Sequence, residues 1–152
     1  MKAVVQRVKD ACVEVDGKKT GSIDYGLLIY LGISDCDTED TCIKMADKIS
    51  KLRIFRDNSD KMNLSVKDCG GSFLVISQFT LFADISQGNR PYFGNAGKPE
   101  HAEKLYRCFM EILRKKGNEV ACGVFGAHMN VRYTNDGPVT ICIDSDELFN
   151  KG

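Results

Sequence analysis

Hydrophobic and polar positions alternate over the first residues of the chain. Residues 2–8 and 11–16 have the period of two that marks strands, with Val13 and Val15 on one side and Cys12, Glu14 and Asp16 on the other. Asp16-Gly17 is a turn signal. The run Leu27-Leu28-Ile29-Tyr30-Leu31-Gly32-Ile33 is apolar on both faces, which predicts a strand in the middle of a sheet covered on both sides. The period then changes. Cys42, Met45, Ala46, Ile49 and Leu52 recur at three- and four-residue steps, predicting a helix that Asp37 or Thr38 can cap. Short strands are predicted over 53–55 and 62–66, around a turn at 57–60. A longer strand is predicted over 73–82. Residues 84–98 are the one long irregular stretch, and such loops are more often functional than inert. Pro99 opens a second helix, with Ala102, Leu105, Tyr106, Phe109, Ile112 and Leu113 on its apolar face and Gly117 at its end. Residues 129–135 and 139–144 read as two closing strands joined through Asp136-Gly137-Pro138. This order implies an α+β sandwich, with a mostly antiparallel or mixed sheet layer and two helices stacked outside it.

Composition narrows the picture. The chain has 152 residues, 43% of them apolar and 28% charged, the make-up of one folded domain spanning 1–152. Lys and Arg number 21 and so do Asp and Glu, which excludes a generally basic nucleic-acid binder but leaves room for a local basic face. Lys48, Lys51, Arg53, Arg56 and Lys61 form one loose basic group, and Lys104, Arg107, Arg114, Lys115 and Lys116 another. Solvated helix faces are the simpler account of both, and phosphate contacts the alternative. The seven cysteines are odd in number and lack a C-x-x-C pair, so a disulfide framework and a zinc site are both disfavoured. No signal peptide opens the sequence, and no run approaches the roughly 20 apolar residues of a membrane span. A cytoplasmic protein with reduced thiols is expected, with no membrane partner. His101 and His128 have no partner at ligand spacing, so no metal or cofactor is expected, and His128 reads as a satisfied polar residue approaching a strand. Rossmann and P-loop glycine motifs are missing.

Two segments remain as candidates for chemistry. Ser77-Gln78-Phe79-Thr80-Leu81 interrupts an apolar strand with polar residues. It is either an edge strand with one wet face or the lining of a pocket. A nucleophilic Ser77 or Thr80 would need a positioned base, and none lies nearby in sequence. Backbone N–H groups need no such partner to stabilise an oxyanion. Asn135-Asp136-Gly137-Pro138-Val139-Thr140 is either a hairpin turn or, with a cis Gly-Pro bond, a rigid pair of carbonyl acceptors.

The sequence as a whole resembles the D-aminoacyl-tRNA deacylase family. The resemblance is carried by the opening Met1-Lys2-Ala3-Val4-Val5-Gln6-Arg7-Val8, by Lys51-Leu52-Arg53-Ile54-Phe55, and by Lys61-Met62-Asn63-Leu64-Ser65. It continues through Ser77-Gln78-Phe79-Thr80-Leu81, Gly88-Asn89-Arg90-Pro91, Phe125-Gly126-Ala127 and the 135–140 segment. Tyr92 and Asn58-Ser59-Asp60 depart from the usual pattern, outside both signature motifs. The resemblance implies a three-layer β/β/α fold and a homodimer with each active site at the subunit interface. Ser77, Gln78, Phe79 and Thr80 would form the catalytic floor. Gly137 and Pro138 would reach in from the partner chain in cis form, supported by Arg7. Phe125, Ala127, Asn135 and Thr140 would bind substrate, the 3′ adenosine end of aminoacylated tRNA. Such proteins hydrolyse the ester of D-aminoacyl-tRNA and of misattached glycyl-tRNA. A tRNA- or DNA-binding module without catalysis is the competing reading; a thioesterase or peptidase lacks a recognisable triad.

Overall fold

Alternation and a tight turn organise the first third of the computed structural model, which describes residues 1–150. The last two positions of the expected 1–152 domain lie outside the described residues. Strand β1 (Lys2–Val15) turns at Asp16 and Gly17, with φ of +50° and +77°, into β2 (Lys18–Gly32) and pairs with it antiparallel. The two strands predicted over 2–8 and 11–16 are one strand kinked at Asp10, where φ is +50°. The full element order continues α1 (Glu39–Ser50), β3 (Phe55–Arg56), β4 (Met62–Leu64), β5 (Ser72–Ser77), a 3-10 turn (Phe79–Phe82) and α2 (Pro99–Lys115). It closes with β6 (Val120–Cys122), β7 (Asn130–Asp144) and α3 (Ser145–Phe149).

The main sheet is mixed, ordered β6-β5-β2-β1-β7, and β3 and β4 form a separate two-stranded sheet. β2 is central, as its two-sided apolar run requires: Leu27, Leu28 and Ile29 are fully buried. Its Leu27, Ile29 and Leu31 join Val5, Phe73 and Val75 against the helices, where Cys42, Met45, Ala46 and Ile49 of α1 meet Leu105, Phe109 and Leu113 of α2. Burying each such large side chain contributes about 1.5–3 kcal/mol. Tyr106 on α2 donates to the Val75 carbonyl at 2.9 Å and pins the helix to β5.

The opposite face carries Leu28, Leu74 and Ile76, and the far halves of β1 and β2 fold over it through Val8, Ala11, Val13 and Ile23. Gly26 makes this fold-back possible. Its φ is +151°, and a Cβ there would stand 1.8 Å from the Ser72 carbonyl oxygen. Gly21 then comes over β6, where a Cβ would meet the Cys122 carbonyl oxygen at 2.4 Å. The result is the α+β, three-layer β/β/α arrangement.

Several local expectations are corrected. Thr38, and not Asp37, caps α1, in a reciprocal pair with Thr41. Asp37 instead accepts from the Met1 amino group at 2.5 Å, a buried contact, and from the Ser34 backbone at 2.7 Å, a half-buried one. The strand expected at 53–55 lies at Phe55–Arg56, because Arg53 turns out to hold the Asn63 carbonyl. The 62–66 strand stops at Leu64, and Val66 goes into the core. The strand expected over 73–82 ends at Ser77. Its neighbour β2 ends at Gly32, so the ladder has nothing further to pair with after Gln78 N–H reaches the Leu31 carbonyl. β6 and α3 have too few residues to show periodicity, and the sequence pattern does not predict them.

Candidate active site

At the end of β5 the chain leaves the sheet and tightens into the Phe79–Phe82 turn. Leu81 N–H bonds to the Gln78 carbonyl and Ala83 N–H to the Thr80 carbonyl. The N–H groups of Phe79 and Thr80 have no acceptor among the described residues. They are adjacent, at the open first turn of a helix whose donors have no internal partner. The Thr80 hydroxyl is engaged by the Gln78 side-chain amide.

Ser77, Gln78 and Phe79 border a cavity of about 620 Å³. Its far wall is Phe125, Gly126 and Ala127, and its sides include Tyr30, Phe93 and residues 96–99. Sequence motifs nearly fifty residues apart thus share one concave surface. Phe125 is held by Tyr106 at 5.7 Å between ring centroids, and Phe79 meets Phe93 edge-on at 5.2 Å. Phe79 is 57% exposed, an apolar ring at the rim facing water. Burial, and after it the interaction of its hydroxyl with Tyr133, pushes the Tyr30 phenol well above its ordinary range, so it stays neutral.

Two ionisable side chains also border the cavity, His128, which sequence reasoning set aside, and Lys98, which it did not single out. His128 approaches a strand as expected, but it is not satisfied: it lies exposed before β7, with no hydrogen-bond partner among the described residues. Lys98 precedes α2, and its backbone N–H bonds to Asp35 at 2.8 Å. No Asp or Glu lines this cavity.

Gly137 and Pro138 are elsewhere. Residues 129–144 are not a hairpin; β7 is one strand that pairs with β1 on both sides of a wide bulge. Gln6 pairs with Thr140 and Val8 with Asn135, so residues 136–139 loop out opposite Arg7 alone. Asn135 fastens the neck by donating to the carbonyls of Arg7 and Val139, each at 3.1 Å. Gln6 donates to the Thr140 hydroxyl at 3.0 Å. Asn135 and Thr140 therefore brace the bulge and do not border the 620 Å³ cavity. The Gly137–Pro138 bond is cis, and Gly137 has φ +127°.

Arg7 lies under the bulge, almost wholly buried. Its Nη1 donates to the Ile54 carbonyl at 2.7 Å and its Nε stands 3.1 Å from Asp136 Oδ2. That second contact is an ion pair without hydrogen-bond alignment, since Nε has no bonded partner. Arg7, Lys9, Arg56, Asp136 and Gly137 border a second hollow of about 500 Å³, separate from the first. Within one chain, then, Ser77, Gln78 and Phe79 come together with Phe125 and Ala127, while Gly137, Pro138 and Arg7 form a second centre. Among the described residues no three His, Cys, Asp or Glu side chains gather closely enough to hold a metal ion, and no helix is long and apolar enough to cross a membrane.

A mixed sheet folded over itself, two outer helices and a pair of free backbone donors beside an apolar cavity make a site that can stabilise an oxyanion. Residues 4–144 match the family model described as D-Tyr-tRNA(Tyr) deacylase, and the chain belongs to that family. A relative from Thermotoga petrophila named D-aminoacyl-tRNA deacylase is 53% identical, covering 98% of this chain and all of its own. One of the same name from Thermus aquaticus is 52% identical, covering 97% of each. Among solved structures, a c-Myc DNA unwinding element binding protein superposes with a TM-score of 0.89 at 44% identity, over 95% of this chain and 98% of its own. A probable eukaryotic D-amino acid tRNA deacylase shares the fold, with a TM-score of 0.78 at 17% identity over 93% of this chain and 97% of its own.

Proposed function

We propose that this protein hydrolyses the ester between a D-amino acid and the 3′ end of tRNA, as its relatives' names state for them. The observation that carries the reading is the pair of unpartnered N–H groups on Phe79, which borders the cavity, and on Thr80, the next residue, which does not. Attack on the ester carbonyl puts negative charge on its oxygen, and fixed backbone donors stabilise that charge without reorganising. Water is the nucleophile, and the 2′-hydroxyl of the terminal ribose helps activate it. The terminal adenosine lies in the cavity between Ser77–Phe79 and Phe125–Ala127.

The enzyme works as a homodimer. Gly137 and Pro138 stand apart from their own chain's cavity, which favours their entering that of a partner. The rings of Phe79 and Phe93 and the exposed Tyr92 and Ile85 nearby give a second chain apolar surface to cover. Chirality is enforced by exclusion. Gly137 has no Cβ, so backbone carbonyls approach the substrate's α-carbon and accept from its ammonium. The side chain of an L-residue collides with them, a D side chain points away, and glycine has nothing to exclude. Comparing D-tyrosyl-, glycyl- and L-tyrosyl-tRNA tests the reading: the first two are hydrolysed and the third survives. Tight binding to tRNA or DNA without ester hydrolysis would favour the non-catalytic alternative instead.

A further inference from the structure

The cavity has an electrostatic character that ester chemistry does not use. Lys98 and His128 both border it and are both exposed, one before α2 and the other before β7. No carboxylate borders the cavity to neutralise them. Several surface cations are paired, such as Lys44 with Asp40, Lys51 and Lys116 with Asp47, and Lys104 with Glu39, while others, Lys48 and Lys61 among them, have no ion pair among the described residues. Lys98 has no carboxylate within ion-pair distance among the described residues; Asp35 beside it is engaged by the Lys98 backbone. The donor pair at Phe79 and Thr80 fixes where the ester carbon sits, beside the Ser77–Phe79 wall of the cavity. A nucleoside joined to that ester fills the apolar interior, and the next group along the tRNA is a phosphodiester, for which the cavity lining offers two basic side chains.

We propose that Lys98 and His128 grip the phosphodiester joining the terminal adenosine of tRNA to the nucleotide before it. This rests on the deacylase reading and adds to it the first backbone contact of the tRNA. Lys98 supplies a permanent charge and His128 a ring N–H, and both positions serve any tRNA sequence because phosphates carry no base information.

The test compares two substrates: D-tyrosyl-adenosine, which has no phosphate, and the D-tyrosyl ester of cytidylyl-adenosine, which has one. The readout is the ratio of their kcat/KM values. Lys98→Gln is expected to lower the ratio about fivefold to tenfold, through KM, the size of one partly exposed charge-assisted contact. Lys98→Arg restores it, and His128→Asn lowers it about twofold to fivefold. In the unaltered protein, the phosphate-bearing ester should lose affinity with salt more steeply than the nucleoside ester, by a slope of about 0.7 in log–log terms. A ratio left flat by Lys98→Gln, or salt slopes equal for the two esters, overturns the proposal. So does a His128→Asn loss that falls on kcat equally for both, since that marks a catalytic base. Turnover of D-tyrosyl-adenosine by the unaltered protein tests the deacylase reading separately. Failure there removes that reading, whereas a flat ratio with turnover intact removes only the phosphate contact.

Discussion

At Thr80 the side chain and the backbone make opposite predictions. If the N–H is the catalytic group, Thr80→Ala keeps turnover within about tenfold, because only a hydroxyl already held by Gln78 is lost. Thr80→Pro removes the N–H and is expected to cost about 10²–10³ in kcat, as for the loss of one oxyanion donor. Single-turnover kinetics on D-tyrosyl-tRNA measures both, and unchanged thermal melting checks that the turn survives. An acyl adduct on Thr80 found by mass spectrometry would reverse the assignment. Arg7 is a different kind of residue, acting through the bulge it supports. Arg7→Ala leaves the Ile54 carbonyl without its donor and Asp136 with Lys9 alone, and should destabilise the fold by about 1–3 kcal/mol in denaturant titration. It should also admit L-alanyl-tRNA as a substrate, because the bulge then lacks its support.

Elements differ in how readily a sequence declares them. The two long helices were legible in their three- and four-residue stripes, and β2 in its two-sided run. β5 was legible as a strand but not in its length, because its end is decided by Gly32 on a neighbouring strand. The bulge in β7 reads locally as a turn, since Gly and Pro punctuate turns. Only pairing with β1 on both sides distinguishes it, and that pairing is non-local. Ser77-Gln78-Phe79 and Phe125-Gly126-Ala127, singled out through family resemblance, border one cavity, whereas Lys98 and His128 on the same cavity carry no pattern at all. Two element-scale outcomes can be measured. Gly26→Ala forces a Cβ into the Ser72 carbonyl at a positive φ and should prevent β2 from folding back, a loss of about 4 kcal/mol or more. Asp47 on α1 is hydrogen-bonded by Lys51 and by Lys116 beyond α2, which lowers its pKa from 3.8 to about 2. Its folded pKa lies below its unfolded one, so its contribution is present above about pH 4 and disappears as pH falls toward 2. Asp47→Asn should flatten that acid limb of the melting profile.

The molecule as a whole is neutral, with 21 cations against 21 anions, so no broad field draws it to tRNA. Recognition concentrated at the 3′ end follows, and several D-aminoacyl-tRNAs of unrelated sequence should be hydrolysed at comparable kcat/KM. Rates confined to one tRNA species would contradict this. If two chains build each site, specific activity should fall as the protein is diluted through the dimer dissociation constant, in step with the dimer fraction seen by sedimentation.

The bulge at residues 136–139 is flanked by ladder pairs, Gln6 with Thr140 and Val8 with Asn135, that are fixed whatever lies between them. It behaves as a tooth on a rack: lengthening or trimming it changes how far the tip projects while the rack stays in step. If this bulge is the stereochemical gauge, as proposed, small insertions or exchanges at these four positions reset its tolerance without rebuilding the scaffold that carries it.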